Sequence, residues 1–262
     1  LEFISASNQE YVLMCDSNTV YNTDLNALFS FHEEHNADIT VVGKYGKIPA
    51  LDDIMVMNVD DDAHVQSVAI SPKTDAEVMY STNTILMRKA LLERIIRDAE
   101  SYSYNDFYRD VFQKNSGSYR VCCYELTSYC RTVDGVVSYF NANLELLSGD
   151  VRRDLFAPDR PVYTKIRNDM PVVYGDTASV SDSLISDGCM IDGTVEGSVL
   201  SRGVRIAKGA VVRNCILMQD TYVGDGVHLE CVIADKSAVI TPGKSLIAAK
   251  TYPMYVAKQV II

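Results

Sequence analysis

At 262 residues, 47% apolar and 23% charged, the chain has the composition of a folded globular protein, with room for one large domain or two smaller ones. Its 24 basic and 35 acidic residues leave a formal charge of −11, which argues against a phosphate-backbone or anionic-membrane surface but leaves room for a local basic pocket. No apolar run nears the ~20 residues of a membrane span.

The first half mixes two periodicities. Residues 11–15 (YVLMC) form a short continuous apolar run, the pattern of a strand buried on both faces. Thr23 and Asp24 lead into LNALFSFHEEHN, whose apolar spacing predicts a helix. ADITVVGKY (37–45) is β-branched and predicts a strand. IMVMNVD (54–60) and HVQSVAIS (64–71) predict a hairpin around Asp60, Asp61 and Asp62. STNTILM (81–87) predicts a strand and RKALLERIIRDAES (88–101) an amphipathic helix. YRVCCYEL (119–126) predicts another strand, and VVSYFNANLELLSG (136–149) a helix ended by Gly149. Strands alternating with helices imply an α/β layered sheet over residues 1–150. VRRDLFAPDRPVYTKI (151–166), with two prolines and mixed charge, is expected to begin a linker running to residue 175.

Residues 176–262 follow a different grammar. Of the 14 glycines, five lie in residues 1–174 and nine in the last 88, where corners recur. Apolar residues return about every six positions: Ile185, Ile191, Val195, Leu200, Ile206, Val212, Leu217, Val223, Leu229, Ile233 and Val239. This is the hexapeptide pattern, in which one hexad supplies a short strand and a turn, and three hexads close a triangular coil. Residues 185–239 then make about three coils of a left-handed parallel β-helix, with the uneven steps at 191–200 and 229–233 at corners or short insertions. A β-sandwich would not keep a six-residue spacing. The apolar end AAKTYPMYVAKQVII (248–262) is expected to cap the solenoid, since solenoid ends need covering; the alternative is an intersubunit contact.

Side chains with chemistry are few. Seven cysteines (15, 122, 123, 130, 189, 215, 231) show no C-x-x-C spacing, which speaks against tetrahedral zinc and a disulfide scaffold and for a reduced, cytoplasmic setting. No basic n-region of a signal peptide opens the chain, and Leu1 in place of Met reads as a sequence already in progress, with a piece missing before it. Of the four histidines (32, 35, 64, 228) only His228 lies in the repeat, so a three-His metal site is impossible there. A lone catalytic His228 stays open beside a solvated strand-edge reading. His32 and His35, three apart beside Glu33 and Glu34, are read as an exposed helix face rather than half a metal site. In YVLMCDSNTVYNTD a buried strand runs into a loop bearing Asp16 and Asp24, available to a divalent metal; turn and N-cap duty is the plainer reading.

Several stretches taken together resemble one family. SLISDGCMIDGTVEGSVLSRGVRIAKGAVVRNCILMQDTYVGDG (183–226) resembles the C-terminal β-helix of bacterial glucose-1-phosphate adenylyltransferases, and PVYTKIRNDMPVVYG (161–175) the segment leading into it. YNDFYRDVF (104–112) resembles the family's D-F-G-K-D, and YCRTVDGVVSYFNANLELL (129–147) its Y-W-R-D-V-G-T with the helix after it. The resemblance implies a partial nucleotidyltransferase domain with a Rossmann-like mixed sheet, whose Gly-rich triphosphate loop lies N-terminal to residue 1. In active members one Asp holds the catalytic magnesium after the first strand and another lies in the W-R-D-V-G-T motif. The corresponding positions here are Asn18 and Thr132, with Asp16 two residues away as a possible substitute. The sugar-phosphate motif E-K-P is represented by Ile70, Ser71 and Pro72. Ser81 matches a sugar-contacting Ser and Asp106 the Asp of D-F-G-K-D.

Magnesium prefers hard anionic oxygens, and two carboxylates have become a neutral amide and a neutral hydroxyl. Without the metal most electrostatic stabilisation of adenylyl transfer is lost. The resemblance therefore implies a GlgD-type regulatory subunit of glycogen biosynthesis, non-catalytic or weakly active. It is expected to need no cofactor in isolation, to leave magnesium to a catalytic partner in a hetero-oligomer (a tetramer), and to respond to a small-metabolite effector. Two alternatives stand beside it: an active adenylyltransferase using Asp16, and a hexapeptide acyltransferase with a decorated N-terminal domain.

Overall fold

A computed structural model describes residues 2–49, 53–102, 104–114 and 117–262; Leu1 lies outside them. By contacts the chain divides into two compact units, Leu1–Asp134 and Gly135–Ile262.

In the first unit the elements are α1 (Glu2–Ser5), β1 (Tyr11–Met14), β2 (Thr19–Tyr21), α2 (Leu25–Glu34), β3 (Ile39–Gly46), β4 (Met55–Val59), β5 (Val65–Ile70), β6 (Val78–Arg88), α3 (Lys89–Tyr102), a π-helical turn Tyr108–Gln113, β7 (Val121–Glu125) and β8 (Cys130–Thr132). The main sheet runs β5-β4-β6-β3-β7, with β1 also on β6, and is mixed: β3 and β7 are parallel and the other pairs antiparallel. The predicted hairpin forms around Asp60, whose carboxylate accepts from the backbone N–H groups of Asp62 (3.0 Å) and His64 (2.8 Å). β3 is apolar on both sides because both faces of the sheet are covered. Ile39 and Val41 pack with Met87, Leu92 and Ile95 on one face, and Val42 packs with Leu28, Leu86 and Leu126 on the other. Gly43 is required by close approach, since a Cβ there would lie 2.5 Å from Cys123 Sγ.

β1 departs from its sequence reading. It lies at the sheet edge on β6, none of its residues is fully buried, and Leu13 is exposed. A continuous apolar run does not by itself distinguish a central strand from an edge strand packed under helices.

The second unit opens with α4 (Val136–Glu145) and α5 (Gly149–Leu155). Gly149 does not end the first helix. It is the first residue of the second, behind the N-cap Ser148, and the start of the expected linker is therefore helical. α4, read from the sequence together with residues 1–150, packs on the solenoid: Phe140 is fully buried against Ile216, Cys231 and Ile233.

Residues 173–256 form a parallel β-solenoid of about four turns with three faces of five short strands each. On one face Ile191, Ile206, Val223 and Ile240 stack in register; on the second Val195, Val212, Leu229 and Leu246; on the third Ile185, Leu200, Leu217, Ala234 and Val256. Steps of 15 or 17 residues separate most of these levels, rather than the 18 of three full hexads, so corners are trimmed. The 17-residue step continues unbroken to the end of the repeat, which puts its inward positions one residue after the expected Ile233 and Val239. Ala234 and Ile240 point inward, whereas Ile233 faces α4 and Val239 is only half-buried. The end of the chain supplies a last rung: Met254–Val256 pairs with Val232–Ala234, Ile261 bridges Val239, and Val256 joins the core. No helix among the described residues is long and apolar enough to cross a membrane.

Candidate functional site

Of the residues singled out by the sequence, Asp16, Asn18, Ser81 and Thr132 come together at one corner of the first unit. β2 and β8 form a separate two-stranded antiparallel ladder in which Thr19 lies opposite Thr132, and the Val133 N–H donates to the Asn18 carbonyl at 2.7 Å. Asn18 and Thr132, distant in the chain, are thus neighbours at the ladder's end. The Tyr21 hydroxyl, 2.6 Å from Thr84 Oγ1, fastens this ladder to β6.

β6 carries a bulge at the same corner. Its register with β3 shifts between Val42, opposite Thr84, and Gly43, opposite Ser81, leaving Thr82 and Asn83 as extra residues. The buried Thr82 hydroxyl donates to the Val42 carbonyl at 2.9 Å, and the Asn83 N–H donates to Ser81 Oγ at 2.9 Å. Asn83 lies in the left-handed region at φ 58° and donates its amide to Asp16 Oδ2 at 2.6 Å. Neither Asn83 nor its bulge was singled out from sequence. The polar run S-T-N-T inside an apolar strand was the available signal.

Asp106 sits at the start of the π-helical turn, where its carboxylate accepts from Arg109 N (2.9 Å) and Arg109 Nε (3.1 Å). Asp110, buried in the same turn, accepts from Lys114 Nζ at 2.6 Å and from the Asn105 and Asp106 N–H groups. The Lys114 hydrogen bond and these backbone donors hold its pKa down at about 2. Burial and the charges of Asp16 and Asp106 push the Tyr108 hydroxyl up to about 12, so this phenol stays protonated beside both acids.

Other candidates lie elsewhere or are otherwise employed. Asp24 is the N-cap of α2, accepting from Asn26 N at 2.8 Å, so it has a structural duty. His32 is not on an exposed face. It is 1% exposed, with Nδ1 2.8 Å from Thr40 Oγ1, while His35 turns back to the Phe31 carbonyl, so the two imidazoles do not converge. His228 lies in the solenoid between Val211 and Ser245. Ser71 holds a turn at φ 46°, its Oγ accepting from Ile54 N at 3.1 Å.

The donor set at the corner does not make a magnesium site. Asn18 and Thr132 are neutral, Asp16 is engaged by Asn83, and Asp106 by Arg109. Among the described residues no group of three His, Cys, Asp or Glu side chains is placed to hold a metal ion. Magnesium requires several hard oxygens in octahedral array, and neutral oxygens alone compete poorly with its hydration shell.

Comparison with known proteins agrees with the solenoid reading of the second unit. Residues 171–248 match the family described as GlmU-like, C-terminal hexapeptide. The chain is similar to the glycogen biosynthesis protein GlgD of Bacillus subtilis (strain 168), 28% identical over 251 residues, 96% of this chain and 63% of that protein. A glucose-1-phosphate adenylyltransferase of Geobacillus stearothermophilus is 30% identical over 216 residues, 81% of this chain and 56% of the relative. That of Clostridium botulinum (strain Alaska E43 / Type E3) is 28% identical over 220 residues, 82% and 57% of the two chains. The chain thus spans 56–63% of the length of these three relatives, and the resemblance drawn from the sequence holds across almost all of it.

Proposed function

We propose that the protein carrying this chain serves glycogen biosynthesis as a regulatory subunit related to glucose-1-phosphate adenylyltransferase, performing little adenylyl transfer itself and assembling with a catalytic partner. The observation that carries this reading is the meeting of Asn18 and Thr132 at the end of the β2–β8 ladder. Two positions that the family resemblance assigns to metal-binding carboxylates come together, and both are uncharged. The similarity to GlgD over 96% of the chain supports the same reading. On this reading magnesium belongs to the partner's site, the assembly is a cytoplasmic hetero-oligomer, and a small metabolite tunes it.

Assay of the full-length protein with ATP, glucose 1-phosphate and magnesium tests the proposal. Alone it should form ADP-glucose about a hundredfold or more below a catalytic relative, the order of loss expected when charge stabilisation of the transition state is removed. Mixed with the catalytic subunit, it should raise that subunit's rate or shift its metabolite response. Ordinary turnover by this protein alone would refute the proposal.

A second reading, an active enzyme using Asp16, draws on Asp16 lying two residues from Asn18 in the chain. It requires that Asp16→Ala abolish magnesium-dependent turnover; an unchanged rate removes it.

A further inference from the structure

Side chains alternate along each short strand of the solenoid, so the residue beside every inward position points out. The three faces differ in these outward columns. On the face of Val195, Val212 and Leu229 the outward residues Glu196, Arg213 and Glu230 are charged, with Arg213 Nε 3.2 Å from Glu196 Oε2, and they need no cover. On the face of Leu200 and Leu217 the outward Ile216 and Ile233 are apolar, and Phe140 of α4 buries them.

The face of Ile191, Ile206, Val223 and Ile240 has an apolar outward column that stays open. Val173, Met190, Arg205, Tyr222 and Val239 stack there in register, and Ile261 adds a sixth rung beside Val239. Val173 is 50% exposed, Met190 46%, Tyr222 36% and Ile261 71%. Arg205, the one charge in the column, is exposed and makes no ion pair among the described residues. Six rungs about 4.8 Å apart make a stripe about 24 Å long. Single exposed apolar residues are ordinary, but a contiguous stripe marks a contact surface.

The order of the rungs selects the occupant. Laid parallel on a second copy, the stripe sets Arg205 against Arg205, a like-charge contact that opposes binding. Laid antiparallel, it matches itself along its whole length: Val173 meets Ile261, Met190 meets Val239 and Arg205 meets Tyr222, each pair occurring twice by symmetry. An arginine over a tyrosine ring keeps a favourable partner as water leaves. We propose that this face pairs with the same face of a second copy of the chain, antiparallel about a two-fold axis between Arg205 and Tyr222. The stripe is smaller than the roughly 800 Å² per partner of a standard interface, so the contact belongs among the weak, reversible ones. It is a property of the solenoid and stands whether or not the chain is catalytic.

Sedimentation velocity on the full-length protein tests it. The wild type should form a dimer in the micromolar range. Met190→Glu, which sets a carboxylate against Val239 of the other copy, should weaken the dimer about tenfold or more. Ser181→Glu, an equal charge on the exposed polar face, should leave it unchanged. Cross-linking reads the register in a Cys15→Ser background, which removes the exposed thiol. Met190→Cys mixed with Val239→Cys should give a disulfide-linked pair, and Met190→Cys alone should not. Retained melting temperatures identify folded variants. A wild type that stays monomeric, a dimer indifferent to Met190→Glu, or Met190→Cys linking to itself each overturns the proposal. A monomeric wild type whose binding to a catalytic subunit is lost in Met190→Glu overturns it too, and assigns the stripe to that partner.

Discussion

Burial of His32 against the Thr40 hydroxyl disfavours the imidazolium and lowers its pKa below the usual ~6.5, with Arg88 adding to the effect while Glu33 and Asp38 oppose it. Tyr11 packs edge-on to the ring, 5.6 Å between centroids. A histidine whose folded pKa is depressed contributes its full stability above the unfolded value and loses it as pH falls below that value towards the folded one. The melting temperature should therefore fall between pH 7.5 and pH 5.5, and His32→Gln should fall less over the same range. Equal slopes in the two proteins would show that His32 does not govern this window. Spacing put this histidine on a helix face read as exposed; its packing against Thr40 on β3 turns that face inward.

At the scale of elements, α4 is informative. Its apolar positions were legible as a helix, but their partner was not, because a helical stripe names a face and not what covers it. Phe140 fills the space over Ile216, Cys231 and Ile233. Phe140→Ala should cost about 3–5 kcal/mol, the range for emptying a buried aromatic site. Hydrogen exchange should then rise in residues 136–145 while the inner solenoid ladder stays protected. The same packing explains why the sequence pointed to the wrong residue in the repeat: Ile233 is apolar because α4 covers it, so an outward residue carries the signature of an inward one. Ala234, small and unremarkable in sequence, takes the core position.

At the scale of the molecule, each unit carries its own core, one built on β3 and β6 and one on the solenoid levels. Leu217→Ala, at a fully buried solenoid position, should cost about 2–5 kcal/mol and raise hydrogen exchange in residues 185–256, with little change in the sheet around Val41. A parallel rise in both units would show that the two cores unfold as one.

By itself the sequence determined the two grammars of the chain, the hairpin at Asp60, the alternation of strands and helices, and the hexapeptide solenoid. These depend on period and turn chemistry, which are local. Its family resemblance aligned Asn18 and Thr132, both uncharged, with positions where active relatives carry acids. Only the tertiary structure decided that these two residues adjoin, that Asn83 holds Asp16, that β1 is an edge strand and that α4 belongs with the solenoid. Each of those depends on a register or a packing partner far away in the chain, and side-chain periodicity carries no record of either.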